Sequence, residues 1–207
     1  MGGRAVKDAS EAALARFPGS DAKATVQFRP PRTTPLDPQT GAGTPNYSYG
    51  YTSQAVEIEV DTQTGLVRVL RIISVHDVGR AVNKQQVEGQ IEGCLAQAVG
   101  YALTENFQIH DGKVLTPYFS TYLLPTTLDM PTDVYPVILE LADPVGPYGA
   151  RGVAEMALIP FAAAVACAIH AATGAWVTQL PMTPERVLRA IEAANASSQV
   201  SERASSL

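Results

Sequence analysis

Two polar side chains, Glu155 and Gln90, are the candidates for chemistry in this sequence. Glu155 follows a segment rich in glycine and proline and directly precedes an apolar run, Ala157 to Gly174, that contains no other acid. An acid in this position has two interpretations. It can cap the following helix, where exposed N–H groups and the helix dipole attract negative charge, or it can serve as a base or a ligand.

The loop before Glu155 contains one cation, Arg151, and the glycines Gly146, Gly149 and Gly152. Glycine permits backbone angles that are closed to other residues. The loop can therefore bring its main chain against a ligand or against a neighbouring strand.

Gln90 lies near the start of a predicted helix from Lys84 to Glu105, beside a stripe of small residues. Each glycine in the stripe costs about 1 kcal/mol of helix propensity relative to alanine. Close approach of another helix, or of a bound ligand, would explain that loss. The Gln90 amide is then either a ligand contact or a solvated side chain. The stripe consists of Gly89, Gly93, Ala96 and Gly100.

The remaining pattern predicts an α+β fold, a mixed sheet with a β-hairpin and long helices rich in glycine and alanine. Alternation at Val56–Val60, a turn at Asp61–Gly65 and an apolar strand at Val67–Val75 form the hairpin, and the second strand is the more central. Before the hairpin, the sequence predicts a first helix ended by Pro18-Gly19, a strand at Ala24–Arg29 and an irregular proline-rich loop up to Pro45. After it, the sequence predicts a turn at Asp111-Gly112, a strand at Val134–Leu141 and a central alanine-rich helix with Pro160 in its first turn. A last helix is predicted to start at Thr183-Pro184 and to fade after Ala194.

Composition narrows the function classes. The 207 residues carry a net charge of −5, and scattered basic residues favour neither nucleic acid nor an anionic membrane. The most apolar segment contains Pro160 and His170 and is typical of a buried helix, and no leader opens the chain. Cys94 and Cys167 are predicted to be buried reduced thiols, and no histidine has a ligand partner at metal spacing. These features predict a cytoplasmic protein.

Two stretches resemble the molybdenum hydroxylases, the family of xanthine dehydrogenase and aldehyde oxidoreductase. The first runs from Asp77 through Asn83 and Gln90 to Gln97 and resembles the family's D-x-G…N…G-Q-x-E-G-x-x-x-Q segment. The second, Gly149–Glu155, resembles the segment G-x-K-G-x-G-E. The order and separation of the two also agree, so the resemblance covers nearly the whole chain.

The resemblance implies that residues 1–196 are the C-terminal segment of a molybdopterin-binding domain, followed by a disordered tail at residues 197–207. It implies that Glu155 is the base that takes a proton at the molybdenum centre during oxidation of an aldehyde or N-heterocycle C–H, with water as oxygen source. Gln90 is implied to contact the pterin cofactor. A nearby cation would favour the ionised base, so we hypothesise a pairing of Arg151 with Glu155. The cofactor-binding residues are predicted to be Gln90, Gly89, Gly152, Val153 and Ala154, with no direct metal ligand.

Other parts of the family's site are absent from this sequence, so a composite active centre is expected. The partners implied are the remainder of the molybdenum-binding subunit, iron–sulfur and flavin (FAD) subunits and a small-molecule substrate, and the isolated chain is expected to be inactive. The sequence departs from the family pattern at Lys84, Arg151, Ala154 and Met156. Two alternatives stay open, a non-catalytic α+β assembly domain derived from the family and a small-molecule binding module that uses the glycine and proline loop.

Overall fold

A computed structural model describes residues 1–17 and 23–205, with side chains described as far as Ser197. The predicted end of the first helix at Pro18-Gly19 lies outside the described residues. The helices are α1 (Gly2–Leu14), α2 (Lys84–Val99), α3 (Phe161–Thr173) and α4 (Pro184–Ser205), and the strands are β1 (Tyr51–Val60), β2 (Val67–Asp77), β3 (Ile109–His110), β4 (Lys113–Val114) and β5 (Asp133–Leu139).

The chain divides into two units, and each takes residues from several parts of the sequence. The first unit comprises Met1–Tyr51, Asp77–Lys84 and Ile138–Val153, and the second comprises Thr52–His76, Gln85–Val137 and Ala154–Leu207. Their interiors differ in chemistry. Most buried apolar side chains belong to the second unit, among them Ile72, Ile91, Leu95, Phe161, Val165, Ile169, Met182 and Val187.

A three-stranded sheet has the order β1-β2-β5, which confirms that β2 is the central strand. Arg71 forms an ion pair with Asp133 at the start of β5, and Val78, just after β2, donates its N–H to the Leu139 carbonyl at the end of β5. Strand β5 therefore runs in the same direction as β2. Together with the β1–β2 hairpin, this gives the mixed sheet of the predicted α+β fold.

The buried side of β2 changes along the strand. Val69 is buried, Leu70 and Arg71 are both exposed, and Ile72, Ser74 and His76 are buried again. Side chains alternate strictly on a regular strand, so two consecutive exposed residues indicate a change of phase such as a β-bulge produces. This change brings Ser74 and His76 into the interior of the second unit.

The glycine-containing helix keeps its predicted length but changes type near its end. Helix α2 ends at Val99, and a π-helical turn continues it over Gly100–Thr104. A Cβ on Gly100 would collide with the Glu105 carboxylate and with Pro125. Gly100 therefore permits close packing of the chain that follows, and its packing partner is not a second helix.

Helix α3 is less central than its alanine content predicted. Phe161, Val165 and Ile169 are buried on one face, whereas Cys167 on another face is exposed. The prediction that both cysteines are buried is therefore correct for Cys94 and wrong for Cys167. Alanine has too little apolar surface to require burial on every side.

Two other boundaries also differ from the sequence prediction. Residues 24–29 form no strand, because the isolated apolar alternation there has no partner strand in the described chain. Helix α4 begins at Pro184 as predicted and continues to Ser205, beyond the expected fading after Ala194. The predicted tail from Ser197 overlaps this helix, and residues 206–207 lie outside the described residues. None of the described helices combines the length and apolar character needed to cross a bilayer.

We predict that Gly65→Ala destabilises the second unit strongly. Gly65, in the β1–β2 turn, has a φ of 74°, and an added Cβ would meet the backbone of Pro184 and Leu188. Gly112 in the β3–β4 turn has the same φ of 74° but open space around it, so Gly112→Ala is the matched control. In both variants an alanine must adopt the left-handed backbone conformation, which costs about 1–2 kcal/mol of stability. Only Gly65→Ala adds a backbone clash. Urea unfolding would measure the difference, and equal losses would contradict the packing role of Gly65.

Candidate active site

Glu155 lies on an irregular turn, Ala154–Pro160, between the glycine and proline loop and helix α3. The helix begins at Phe161 with Pro160 as its N-cap residue, and no side chain makes a capping hydrogen bond there. The interpretation of Glu155 as a helix cap is therefore wrong. Its side chain is exposed, and the backbone carbonyl of Glu155 accepts a hydrogen bond from Leu158 N–H at 3.3 Å.

The turn is held at Ala157, a fully buried residue close to Glu155. The Gln54 amide on β1 donates to the Ala157 carbonyl at 2.7 Å. The Cys94 thiol on α2 lies close to this turn. Burial raises the pKa of Cys94, and the backbone N–H groups of Leu158 and Ala157 oppose the rise. The turn is thus hydrogen-bonded to strand β1 and lies beside helix α2.

A short polar network extends from this contact into the interior of the second unit. The same Gln54 nitrogen donates to Ser74 Oγ at 2.8 Å, and Ser74 Oγ lies 2.7 Å from His76 Nε2. Ser74 Oγ accepts from Gln54 and shares a second hydrogen bond with His76 Nε2, whose direction depends on the tautomer of the ring. Burial lowers the pKa of His76, in agreement with a neutral ring.

Gly89 and Gln90 lie on an exposed part of helix α2. No atom of the described chain lies within 4 Å of where a Cβ on Gly89 or Gly93 would stand. Within the described residues no other helix packs against these two glycines, and the helix backbone is open there. Gln90 presents its amide from the same exposed region.

Glu155 and Gln90 belong to the same unit of the chain. The negative charge of Glu155 is the smallest of the causes that shift the pKa of the Cys94 thiol, which burial raises most. Cys94 follows Gln90 by one helical turn on α2, and residues so spaced share a helix face.

Gly152 and Val153, the other predicted cofactor residues, belong to the first unit, whereas Ala154 belongs to the second. Gly152 and Ala154 are exposed and Val153 is half-buried. A Cβ on Gly152 would meet no described atom within 4 Å, so the main chain is accessible at that residue.

Arg151 is the centre of a buried charge cluster in the first unit. Its Nη1 lies 2.9 Å from Asp77 Oδ2 and its Nε lies 3.4 Å from Asp143 Oδ2. Nη1 also donates to the Tyr49 carbonyl at 2.8 Å, and the guanidinium carbon lies 5.5 Å from the centre of the Tyr51 ring. Both ion-pair partners are aspartates of the same unit. Within the first unit Arg151 is thus paired with two aspartates, and its hypothesised pairing with Glu155 stays a prediction.

The two aspartates also bind backbone N–H groups, which fixes the loop that precedes Glu155. Asp77 Oδ1 accepts from Gly79 and Leu141, and Asp143 Oδ1 accepts from Val145 and Gly146. Burial alone would raise the pKa of Asp143. The hydrogen bonds from Ser48 and from the two backbone N–H groups, together with Arg151, outweigh burial and hold that pKa below its ordinary value.

The loop is also attached by its own backbone to the segment after β2. Arg80 N–H donates to the Gly149 carbonyl at 2.8 Å, and Arg151 N–H donates to the Val78 carbonyl at 2.8 Å. Gly79 has a φ of 62°, and a Cβ there would collide with the Gly149 carbonyl. Of the two roles predicted for the glycine-rich loop, close approach to a neighbouring segment is confirmed.

Sequence reasoning missed Gln54, Ser74 and Asp143. Gln54 is one of several polar residues on an alternating strand, and its partner Ala157 is about a hundred positions away. Asp143 had a signal that was available, since an aspartate directly before Pro-Val-Gly is typical of a turn in which the carboxylate accepts backbone N–H bonds. The apolar strand β2, which contains Ser74, gave no comparable signal.

The family model described as the molybdopterin cofactor-binding domain matches residues 1–131, which include Gln54, Gly89, Gln90 and Cys94. Glu155 lies beyond the matched range. The chain is 32% identical over 162 residues to the xanthine dehydrogenase molybdenum-binding subunit of Escherichia coli, covering 77% of this chain and 21% of that protein. It is 38% identical over 153 residues to the gamma subunit of the 6-hydroxypseudooxynicotine dehydrogenase complex of Paenarthrobacter nicotinovorans, covering 72% and 19%.

Among solved structures, the aldehyde oxidoreductase from Desulfovibrio gigas is similar with a TM-score of 0.70 and 34% identity, covering 77% of this chain and 17% of that one. The chain thus spans about a fifth of the length of the curated relatives that it matches. The similar fold agrees with the predicted α+β class.

We predict that Asp143→Asn lowers the free energy of unfolding by about 1–3 kcal/mol at pH 7, because it removes a buried charge that is hydrogen-bonded and paired. The pKa of Asp143 is lower in the folded chain than in the unfolded chain. Its stabilisation is therefore present above the unfolded value, near 4, and is lost as the pH falls through the folded value. The difference between wild type and variant should accordingly shrink at acidic pH.

Asp133→Asn is the matched control, because Asp133 also pairs with an arginine but its side chain is 42% exposed. Its effect should stay within about 0.5 kcal/mol. Urea unfolding at pH 7 and pH 3 would measure both variants. Equal effects of the two substitutions at pH 7 would show that the Arg151 cluster is not a special source of stability.

Proposed function

Because this chain belongs to the molybdopterin cofactor-binding domain family, we propose that it supplies the glutamate base and part of the pterin site to a molybdenum-dependent hydroxylase. The proposed substrate class is an aldehyde or an N-heterocycle. The observation that carries the proposal is the position of Glu155, an exposed carboxylate on a turn that Gln54 holds through the Ala157 carbonyl.

The cofactor, when bound, would provide the redox centre at which a C–H carbon is oxidised with water as oxygen source. In this proposal Glu155 accepts a proton during that oxidation. A general base must reach its proton within hydrogen-bond distance and keep a fixed direction. An exposed carboxylate on an anchored turn meets the second requirement, and the remainder of the enzyme would bring the substrate to it.

The residues proposed for the pterin fit a flat, polar heterocycle. Gln90 offers an amide with two N–H donors and one acceptor oxygen. Gly89 and Gly93 leave the helix backbone uncovered beside it, so a ring can approach without displacing a side chain. Gly152, Val153 and Ala154 are proposed to contribute main-chain contacts, and the open position at Gly152 supports this role.

The chain is proposed to act within a larger assembly. Two of the relatives are named as subunits, one of a xanthine dehydrogenase and one of a dehydrogenase complex. We propose that the remainder of a molybdenum-binding subunit completes the cofactor site. Iron–sulfur and flavin modules are proposed to remove the electrons, and the isolated chain is expected to be inactive.

We predict that Glu155→Gln in the assembled enzyme lowers the rate of aldehyde or N-heterocycle oxidation by roughly 10²–10⁴-fold, the range typical of a lost general base. Molybdenum and pterin contents should stay unchanged, because the substitution preserves the size of the side chain. Glu59→Gln on the exposed face of β1 is the matched control and should retain full activity. Undiminished turnover by Glu155→Gln would remove the base assignment and would favour the assembly-domain alternative.

We predict that Gln90→Leu reduces the pterin and molybdenum contents of the purified enzyme several-fold, because leucine keeps the bulk of the side chain but removes the amide. The matched control is Gln85→Leu, the same change at another exposed position of α2. Metal analysis and pterin fluorescence after oxidation would measure the two contents. Equal contents in both variants would show that Gln90 does not bind the cofactor.

A further inference from the structure

We propose that Gln54 is a positioning residue that sets the direction of Glu155 by binding the Ala157 carbonyl. This inference rests on the proposed function, since it concerns the carboxylate to which the base role is assigned. Gln54 belongs to β1, and its role depends on a hydrogen bond across 103 positions of sequence. Ser74 and His76 continue the same network from the central strand β2.

The contacts of the Gln54 amide determine its orientation. A carbonyl only accepts hydrogen bonds, so the group that faces Ala157 O at 2.7 Å must be the NH₂ end of the amide. The amide nitrogen also donates a hydrogen bond to Ser74 Oγ at 2.8 Å, so both of its N–H groups have acceptors. The reversed amide would place two acceptor oxygens against each other, so the contacts fix one orientation.

The hydrogen bond from Gln54 fixes the backbone of the turn at Ala157. Ala157 is 1% exposed, and a buried carbonyl without a partner is costly, so the Gln54 bond strongly favours one backbone position. Glu155 is the near exposed end of the same turn, two positions before Ala157.

Gln54 is itself held in place by its hydrogen bond to Ser74, which in turn is hydrogen-bonded to His76. Ser74 and His76 are fully buried, and both lie on the central strand of the sheet. An amide held by a buried hydroxyl on a neighbouring strand has little freedom to rotate away from Ala157. Rigid support of this kind matters for a base, because a displacement of about 1 Å can cost on the order of 100-fold in rate.

The test uses Gln54→Met in the assembled, cofactor-loaded enzyme, with Gln63→Met in the exposed β1–β2 turn as the matched control. Methionine keeps the length of the side chain and removes both N–H donors. We expect kcat to fall roughly 10- to 100-fold with KM changed less than threefold or so. Hydrogen exchange at Ala157 and Leu158 should become faster, and the control should change neither quantity.

A double variant separates this inference from the proposed function. If Gln54 acts through Glu155, adding Gln54→Met to Glu155→Gln should cause little further loss of rate, while exchange at the turn still increases. Full turnover by Glu155→Gln alone would overturn the proposed function. A large loss with Glu155→Gln but normal rate and exchange with Gln54→Met would overturn only the positioning role.

Ser74→Ala provides a second route should Gln54→Met fail to assemble. It removes one support of the amide and leaves the bond to Ala157 in place, so a smaller loss of kcat and a smaller rise in exchange are expected. Unchanged kcat and unchanged exchange in Ser74→Ala would then overturn the proposal.

Discussion

The conformation of the loop that precedes Glu155 in the chain depends on the ion pairs of Arg151 with Asp77 and Asp143. A single buried guanidinium joins the segment after β2 to the loop after β5, and each aspartate binds backbone N–H groups in addition. Removing one partner of such a cluster leaves a buried charge uncompensated. The loop that leads to Glu155 is therefore fixed by charge and directed hydrogen bonds more than by apolar contact.

The turn that carries Glu155 is held in a different way. Gln54 on strand β1 binds the buried Ala157 carbonyl, and the Cys94 thiol on helix α2 lies close to the same turn. Neither side chain is charged, and neither belongs to the turn itself. In this proposal the second unit sets the direction of the Glu155 carboxylate. The substrate, brought by the remainder of the enzyme, would then meet its exposed side.

The fold was largely predictable because its elements depend on local patterns. Alternation at Val56–Val60 and the Asp111-Gly112 turn identify hairpins, and Pro184 marks the start of α4. The partners of Arg151 and Gln54 were not predictable, because a charge or an amide in sequence does not show which distant acceptor it meets. The acid nearest to Arg151 in sequence is Glu155, whereas its partners within the first unit, Asp77 and Asp143, lie farther away along the chain.

The contrast between the two interiors also affects how stability varies with temperature. Among buried apolar side chains of the described residues, Val78 is the only one in the first unit, whereas the second unit has a broad apolar core. Exposure of apolar surface raises the heat capacity on unfolding, and exposure of polar surface lowers it. The stability of the second unit should therefore follow a strongly curved function of temperature and weaken on cooling. The ion-paired interior around Arg151 contributes little to that curvature.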